Sequence, residues 1–421
     1  MKHFIRLSIS FVFLTLVFGS VSICSFAQSK PQRPTTGTGN DKKNQRPVPK
    51  TEEELLKEAE EKKQKEEEKN AKEEAGVIAI ETNVVNVDAV VLNKKTGQII
   101  GGLKKENFSI YEDGVKKDIS SFSTPEAPIT VTLVLEYSKW SEVFGYANSR
   151  GYEPAHYETV RPVAQFLSQF IKPPLDYASV IAFDLRPTPI TDFTNDPRRI
   201  QDTINLLLRN YPAFRENNLY DAIKLALVGG RADSVVLENS KEEKSDYSGM
   251  VAVKSKRRAI ILVASGIDTF SRINYDEARR IVQEAGIPLY IISTGNMFCK
   301  LYCDALDPAR VMPGMPDRMT FLQAKNAMNT FARESGGMHF EMTFPAEIPG
   351  YLQSINSVLR SQYNLAYELE QPHEPGKKYK LEVKVDVDGD GQTDEKTFVV
   401  QHRPYVLGPP LTSKADNKKK Q

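Results

Sequence analysis

Two short stretches hold most of the residues able to do chemistry. The first, LVLEYSKWS at 133–141, is a run of apolar β-formers that ends by delivering Glu136, Ser138, Trp140 and Ser141. A carboxylate and hydroxyls at the end of a strand are hard oxygen donors, the kind that Mg²⁺ or Mn²⁺ accepts. The second, DVDGDGQTD at 386–394, places Asp386, Asp388, Asp390 and Asp394 around a sharp turn at Gly391. Clustered acids repel one another, whereas Ca²⁺ takes several oxygens from such a loop. Asp and Gly also make an ordinary acidic hairpin turn, so both readings stand.

A third candidate is the pair Cys299 and Cys303 in CKLYC. In an exported chain they can close a local disulfide. Two thiols on one helical face, where bridging geometry is poor, are the other reading. No His lies close enough in sequence to suggest zinc. Catalytic signatures are missing: there is no G-x-S-x-G, P-loop or H-E-x-x-H. His3, His156, His339, His373 and His402 are scattered, and His339 beside Glu341 reads as a core or edge pair. A hydrolase would need the fold to bring a base to Ser265. The expectation is a protein that is not an enzyme.

The elements that must position these residues follow from composition and pattern. A chain of 421 residues with 40% hydrophobic content can build one large or two modest cores. The net charge is +1, from 56 basic and 55 acidic side chains, so no global field favours nucleic acid. Residues 1–27, with Lys2, His3 and Arg6 ahead of an apolar stretch and small residues at Ser25 and Ala27, read as a cleavable signal peptide. An uncleaved anchor and a lipoprotein at Cys24 are the alternatives, the latter opposed by Ile23. The chain is expected to be secreted or periplasmic, with no membrane span after cleavage.

Residues 28–76 read as a tether: first Pro-, Thr- and Gly-rich, then TEEELLKEAEEKKQKEEEKNAKEEA, a solvated charged helix with no repeating seam for a coiled coil. Alternation from Val77 to Pro125 predicts a small antiparallel β module, with turns at KKTG and EDG. Residues 126–371 carry continuous apolar strands at 129–137, 178–184, 258–265 and 287–294, separated by helical periods behind Asn and Asp caps. That alternation predicts a doubly wound, mostly parallel α/β domain. Residues 372–405 read as a β-hairpin around the Asp-rich loop, and 406–421 as a disordered tail.

Taken in order, LKKENFSIYEDG, LVLEYS, DFTND, NNLYDAI, LVASGIDT, ESGG and LRSQYNLAYE resemble the von Willebrand factor A-related proteins of the Acidobacterial type, over roughly 78–370. The resemblance implies a von Willebrand factor A-type domain with a metal-ion-dependent adhesion site at the carboxyl ends of its strands. That site is Asp-x-Ser-x-Ser, a Thr and a further Asp. Here Glu136 stands at the first Asp, Ser138 keeps the first Ser, Trp140 replaces the second, Asn217 holds the Thr position and Ser265 the last Asp. The site therefore reads as degenerate and Mg²⁺ as unlikely to be retained, with Asp268 able either to compensate or to cap the next helix or turn. The Asp-rich loop is similar to calcium loops of extracellular β-hairpins, since Thr397 stands where a full EF-hand has Glu.

Binding of another protein through Glu136, Ser138, Trp140, Asn217 and Ser265 is the leading expectation. Trp140 would either anchor that partner or cover the core. The other reading is a structural part of a cell-envelope assembly whose loop face is idle.

Overall fold

The computed structural model describes residues 84–139, 146–148, 151–153, 155–231, 246–255, 257–302 and 318–409. The expected signal peptide and tether, Trp140, Cys303 and residues 410–421 lie outside the described residues.

The chain opens on β1 (Val84–Asn93), β2 (Phe108–Glu112), β3 (Val115–Lys117) and β4 (Ile119–Ser123). Buried and less buried residues alternate along β2, giving it one apolar face. Asp113 and Gly114, both at positive φ, close the tight β2–β3 turn expected at EDG. Every residue of β5 (Ile129–Glu136) is buried, which requires cover on both faces. A small hairpin of β6 (Tyr146–Asn148) and β7 (Gly151–Glu153) precedes α1 (Ala155–Phe170), β8 (Tyr177–Phe183) and β9 (Pro187–Thr194). Then come α2 (Pro197–Arg209), α3 (Leu219–Val228), and a second small hairpin, β10 (Gly230–Arg231) with β11 (Asp246–Tyr247). The α/β part continues with β12 (Arg257–Ala264), α4 (Tyr275–Ala285), β13 (Leu289–Ser293), α5 (Gly295–Tyr302), α6 (Arg318–Ser335), β14 (His339–Glu341) and α7 (Ile348–Arg360). It is followed by β15 (Tyr363–Glu368), β16 (Lys378–Val385), β17 (Phe398–Gln401) and β18 (Tyr405–Leu407).

The central sheet has the order β14-β13-β12-β5-β8-β9 and is parallel except for β9. β9 carries Pro187, Pro189 and Asp192, residues tolerated at a sheet edge, and includes Asp192–Thr194 of the DFTND segment. Val131, Leu133 and Leu135 pack with α1, α2 and α7 on one face, while Val134, Ile260 and Leu262 pack with α3, α4 and α6 on the other. The predicted caps are present: Asp196 accepts from the Arg198 amide and Asn274 from the Glu277 amide, both at 2.9 Å. α6 stops at Gly336, with φ 86°. At Gly337 a Cβ would lie 1.9 Å from the Leu289 carbonyl oxygen, so only glycine lets the chain pass β13. Among the described residues no helix is long and apolar enough to cross a membrane. The fold is thus a doubly wound, mostly parallel α/β sheet flanked by antiparallel sheets.

The flanking strands differ from expectation in their partners. The stretch 378–402 does not pair as a hairpin: β16 joins β2 and β18, whereas β17 joins β1. β15, expected to finish the α/β domain, lies between β1 and β4. The two resulting sheets share one core, in which Val87, Ile110, Tyr363, Leu365, Leu381 and Val383 meet. Burial of both apolar faces selects this arrangement over a free hairpin, which would leave one face wet. The tail expected to be disordered from 406 instead begins inside β18, where Val406 is buried.

This β unit attaches at the amino ends of the parallel strands. Arg257, which opens β12, is fully buried and donates to the carbonyls of Pro125, Ala127 and Leu359. Nearby, Asp88 of β1 accepts from the Asn364 amide at 2.9 Å. Burial pushes its carboxyl up from 3.8 to about 6, against the Asn364 hydrogen bond and the charges of Arg258, Arg403 and Arg257. Between these two values the folded chain binds a proton that the unfolded chain releases. Stability from this group is therefore complete below the unfolded value and is lost as pH rises through about 6. Asp88→Asn is expected to raise stability by about 1–3 kcal/mol at pH 7.5 and to change it little at pH 4, as read from urea melts. An unchanged or lower midpoint at pH 7.5 contradicts this.

Candidate functional site

β5 and β12 are neighbours at the point where the chain, having built the sheet outward through β8 and β9, returns to build it the other way. Open α/β sheets leave a crevice at such a switch point, beyond the carboxyl ends of the strands. Glu136 ends β5, Ser265 follows β12, and Asn217 precedes α3 by two residues. The structure brings these together with Ser138, all four nearly or fully buried. Trp140 lies outside the described residues.

The Glu136 carboxylate organises the group. Its Oε1 accepts from the Ser138 hydroxyl at 2.7 Å and from Asn217 Nδ2 at 2.8 Å; its Oε2 accepts from the Ser265 amide at 2.5 Å. Ser265 Oγ accepts from the Ile267 amide at 3.3 Å and, more weakly, from Asn217 Nδ2 at 3.5 Å. Asn217 is itself held from both sides: its amide donates to Thr269 Oγ1 at 2.8 Å, and its carbonyl accepts from the Thr269 and Phe270 amides. Only Asn217 Oδ1 in this cluster is buried without a hydrogen-bond partner.

This donor set does not fit a divalent cation. Mg²⁺ needs a near-octahedral shell of oxygen lone pairs. Here an amide NH₂, a hydroxyl and a backbone N–H all point at the one carboxylate and occupy three of its about four lone-pair sites. The negative charge is balanced by hydrogen bonds, which stabilise a buried carboxylate by about 1.5–3 kcal/mol each.

Asp268 does not compensate. Its Oδ1 accepts from the Leu219 amide at 2.9 Å and the Tyr220 amide at 3.3 Å, so it caps α3 from the β12–α4 loop and not the helix that follows it. Ser271 donates to the same oxygen. Sequence reasoning missed Thr269 and Ser271, whose polar spacing in GIDTFS is the local signal of a turn that receives foreign backbone donors. It also missed Phe214 and Phe270, which are exposed on loops at this end of the sheet.

Two further candidates lie elsewhere. His339 bonds the hydroxyl of buried Ser293 at 2.9 Å, and burial lowers its pKa; no base bonds the Ser265 hydroxyl among the described residues. In the acidic loop, Asp386, Asp388 and Asp394 each present an oxygen within 4.8 Å of the others, whereas Asp390 stands apart and accepts from the Gln392 amide at 2.7 Å. Asp386 accepts from the Gly389 and Gly391 amides at 2.7 and 2.8 Å, and both glycines are at positive φ. The Asp390 amide favours the charged form of Asp388. Burial, the charges of Asp390 and Asp394 and a hydrogen bond with Asp386 outweigh it and raise the Asp388 carboxyl. Cys299 is disulfide-bonded, and Cys303 lies outside the described residues.

No family model and no curated protein matches the chain. Among solved structures it is similar to proximal thread matrix protein 1 from the mussel byssus, at 9% identity over 59% of this chain and 49% of that one, with a TM-score of 0.34. It thus spans about half the length of the mussel protein. It is also similar to the conserved hypothetical protein BatB from Bacteroides thetaiotaomicron, at 13% identity over 55% and 100% of the two chains, TM-score 0.34. A third likeness is to the vWF domain of the type V pili tip protein Mfa5 from Porphyromonas gingivalis, at 11% identity over 56% and 95%, TM-score 0.35. The fold assignment rests on the strand order and not on these scores.

Because three buried donors converge on Glu136, Glu136→Ala in EDTA is expected to lower stability by about 2–4 kcal/mol in chemical unfolding. A carboxylate kept for a metal would show the reverse, since its removal relieves the metal-free protein of an unbalanced charge.

Proposed function

We propose that the chain is an exported, non-enzymatic protein that binds another protein through the loops at the carboxyl ends of its parallel sheet, without the metal its site type usually holds. One observation carries this reading: the buried Glu136 cluster fixes exposed aromatics above it. Phe214 is 46% exposed and its carbonyl accepts from the Lys139 amide at 2.7 Å, while Phe270 is 57% exposed and its amide donates to the Asn217 carbonyl at 3.0 Å. Tyr211, 63% exposed, lies on the same loop as Phe214. Large apolar side chains held in place and left in water suit a recognition surface. Export is supported by the charged, apolar and small-residue order of residues 1–27.

The test is a photocrosslinking amino acid at position 214 or 270, compared with position 115 in the β unit, irradiated in cells that make the protein. Discrete adducts from 214 or 270, and not from 115, are expected. Adducts from 115 alone would favour a structural part of an envelope assembly with an idle loop face.

The proposal extends to Ca²⁺ at Asp386, Asp388 and Asp394, supported by the proximity of their oxygens. Calorimetric titration of Ca²⁺ into metal-stripped protein is expected to give saturable heat, lost in Asp388→Ala. Heat that persists in that variant, or no heat at all, removes the ion from this loop.

A further inference from the structure

Next to the Glu136 cluster a cavity of ≈ 420 Å³ opens between the β12–α4 loop, α3, α4 and α6. Asp268, Tyr220, Tyr275, Thr320, Gln323 and Asn326 supply its polar lining, and among the described residues no lysine, arginine or histidine lines it. Gly266, at φ 84°, forms part of the wall; a Cβ there would press on Met328 and Ala324 at 3.1 and 3.2 Å, so the wall is already filled to contact.

The lining is one-sided in charge. Asp268 spends Oδ1 on the α3 amides and Ser271, and among the described residues no basic side chain pairs with it. Burial raises its carboxyl, against the hydrogen bonds from Ser271, Tyr220 and Leu219. The phenols of Tyr220 and Tyr275 have no hydrogen-bond partner among the described residues, and their rings lie 6.3 Å apart at 62°. Burial and the charge of Asp268 push the Tyr220 phenol up to about 12, so it stays neutral. Phe331 stacks on one side of the Tyr275 ring at 5.5 Å and meets Tyr220 at 6.0 Å and 89°, which fixes both rings. A carboxylate with no basic partner among the described residues, the remaining surface of two fixed tyrosine rings and two carboxamides together form the complement of a planar cation with several N–H donors.

We infer that this cavity receives the guanidinium of an arginine side chain presented by a protein partner, with Asp268 as its counter-charge and Tyr220 and Tyr275 as its ring contacts. The protein-binding reading enters only as the source of the arginine. The chemistry of the cavity is tested without any partner.

The experiment is calorimetric titration of N-acetyl-arginine amide into the full chain, beside N-acetyl-citrulline amide, its uncharged counterpart. Saturable heat is expected from the first and none from the second. Asp268→Asn keeps an oxygen to cap α3 but removes the charge, and is expected to bind about tenfold more weakly. Gln323→Lys places a cation at an exposed rim position, leaves Asp268 untouched, and is expected to weaken binding to a similar degree. Phe214→Ser should leave the affinity unchanged, so failure of the aromatic face and failure of the cavity are read separately. Equal binding of citrulline, unchanged affinity in both cavity variants, or no saturable heat up to about 20 mM probe with folded wild-type protein overturns the assignment.

Discussion

The upper half of the molecule depends on satisfying one buried carboxylate. Glu136 ends a strand that is covered on both faces, so its charge is out of water and must be met by the protein itself. The three donors come from three separate segments: residue 138 after β5, residue 217 ahead of α3, and residue 265 after β12. Meeting one charge therefore sets the relative positions of three loops. Asn217 transmits that constraint further, because its main chain is bonded to Thr269 and Phe270 while its side chain is bonded to Glu136. The exposed phenylalanines are thereby tied to a buried polar cluster at that end of the sheet.

The lower end of the sheet obeys a different rule. There the polar groups are turned inward to join two structural units. Arg257 satisfies carbonyls from the β4–β5 connection and from α7, Arg403 donates to the Asn86 carbonyl at 2.6 Å, and Gln401 reaches the Gly337 carbonyl at 2.8 Å. Burying arginines against backbone carbonyls costs less where their N–H groups find oxygens; Nη1 and Nη2 of Arg257 and Nη2 of Arg403 do, while the Nε of each is buried without a hydrogen-bond partner among the described residues. The bonds that are made join the β unit to the amino ends of β5 and β12. Asp88 sits among these cations and yet its carboxyl is raised, which places burial above Coulomb attraction in that junction.

Local pattern was legible where local physics decided the outcome. The continuous apolar runs of β5, β8, β12 and β13 announced a sheet covered on both sides, and Asp196 and Asn274 announced the helix starts that they cap. Positions 136, 138, 217 and 265 could be gathered only through the resemblance, because nothing local says that a Glu will accept from an Asn eighty-one residues away. The direction of those hydrogen bonds, which decides between a cation and a closed cluster, appears only when the donors are seen to face the carboxylate. Strand pairing in the β unit was hidden for a related reason. β16 and β17 look like a hairpin because they flank a turn-rich loop, but their partners are chosen by which faces can be buried against β1, β2 and β15. Asp268 does accept from Ser271 in the turn that follows it, but its cap on α3 was hidden because a cap supplied across space leaves no spacing to read.

The hydrogen bonding at Glu136 also bears on what the loop face can attract. In a metal-dependent adhesion site the ion's open position is the attractive element, and a partner's carboxylate completes it. Once Glu136 is neutralised from within, an incoming carboxylate would meet a buried acid whose lone pairs are mostly taken. What remains attractive is of the opposite kind: exposed aromatic surface at Phe214 and Phe270, and a cavity whose only formal charge among the described residues is the Asp268 carboxylate. On the proposed function the face would then prefer an apolar and basic partner, held by rings and a carboxylate, over an acidic one held by an ion. On this reading binding would resist chelators and weaken with salt only through the cavity, where a single charge pair is at stake.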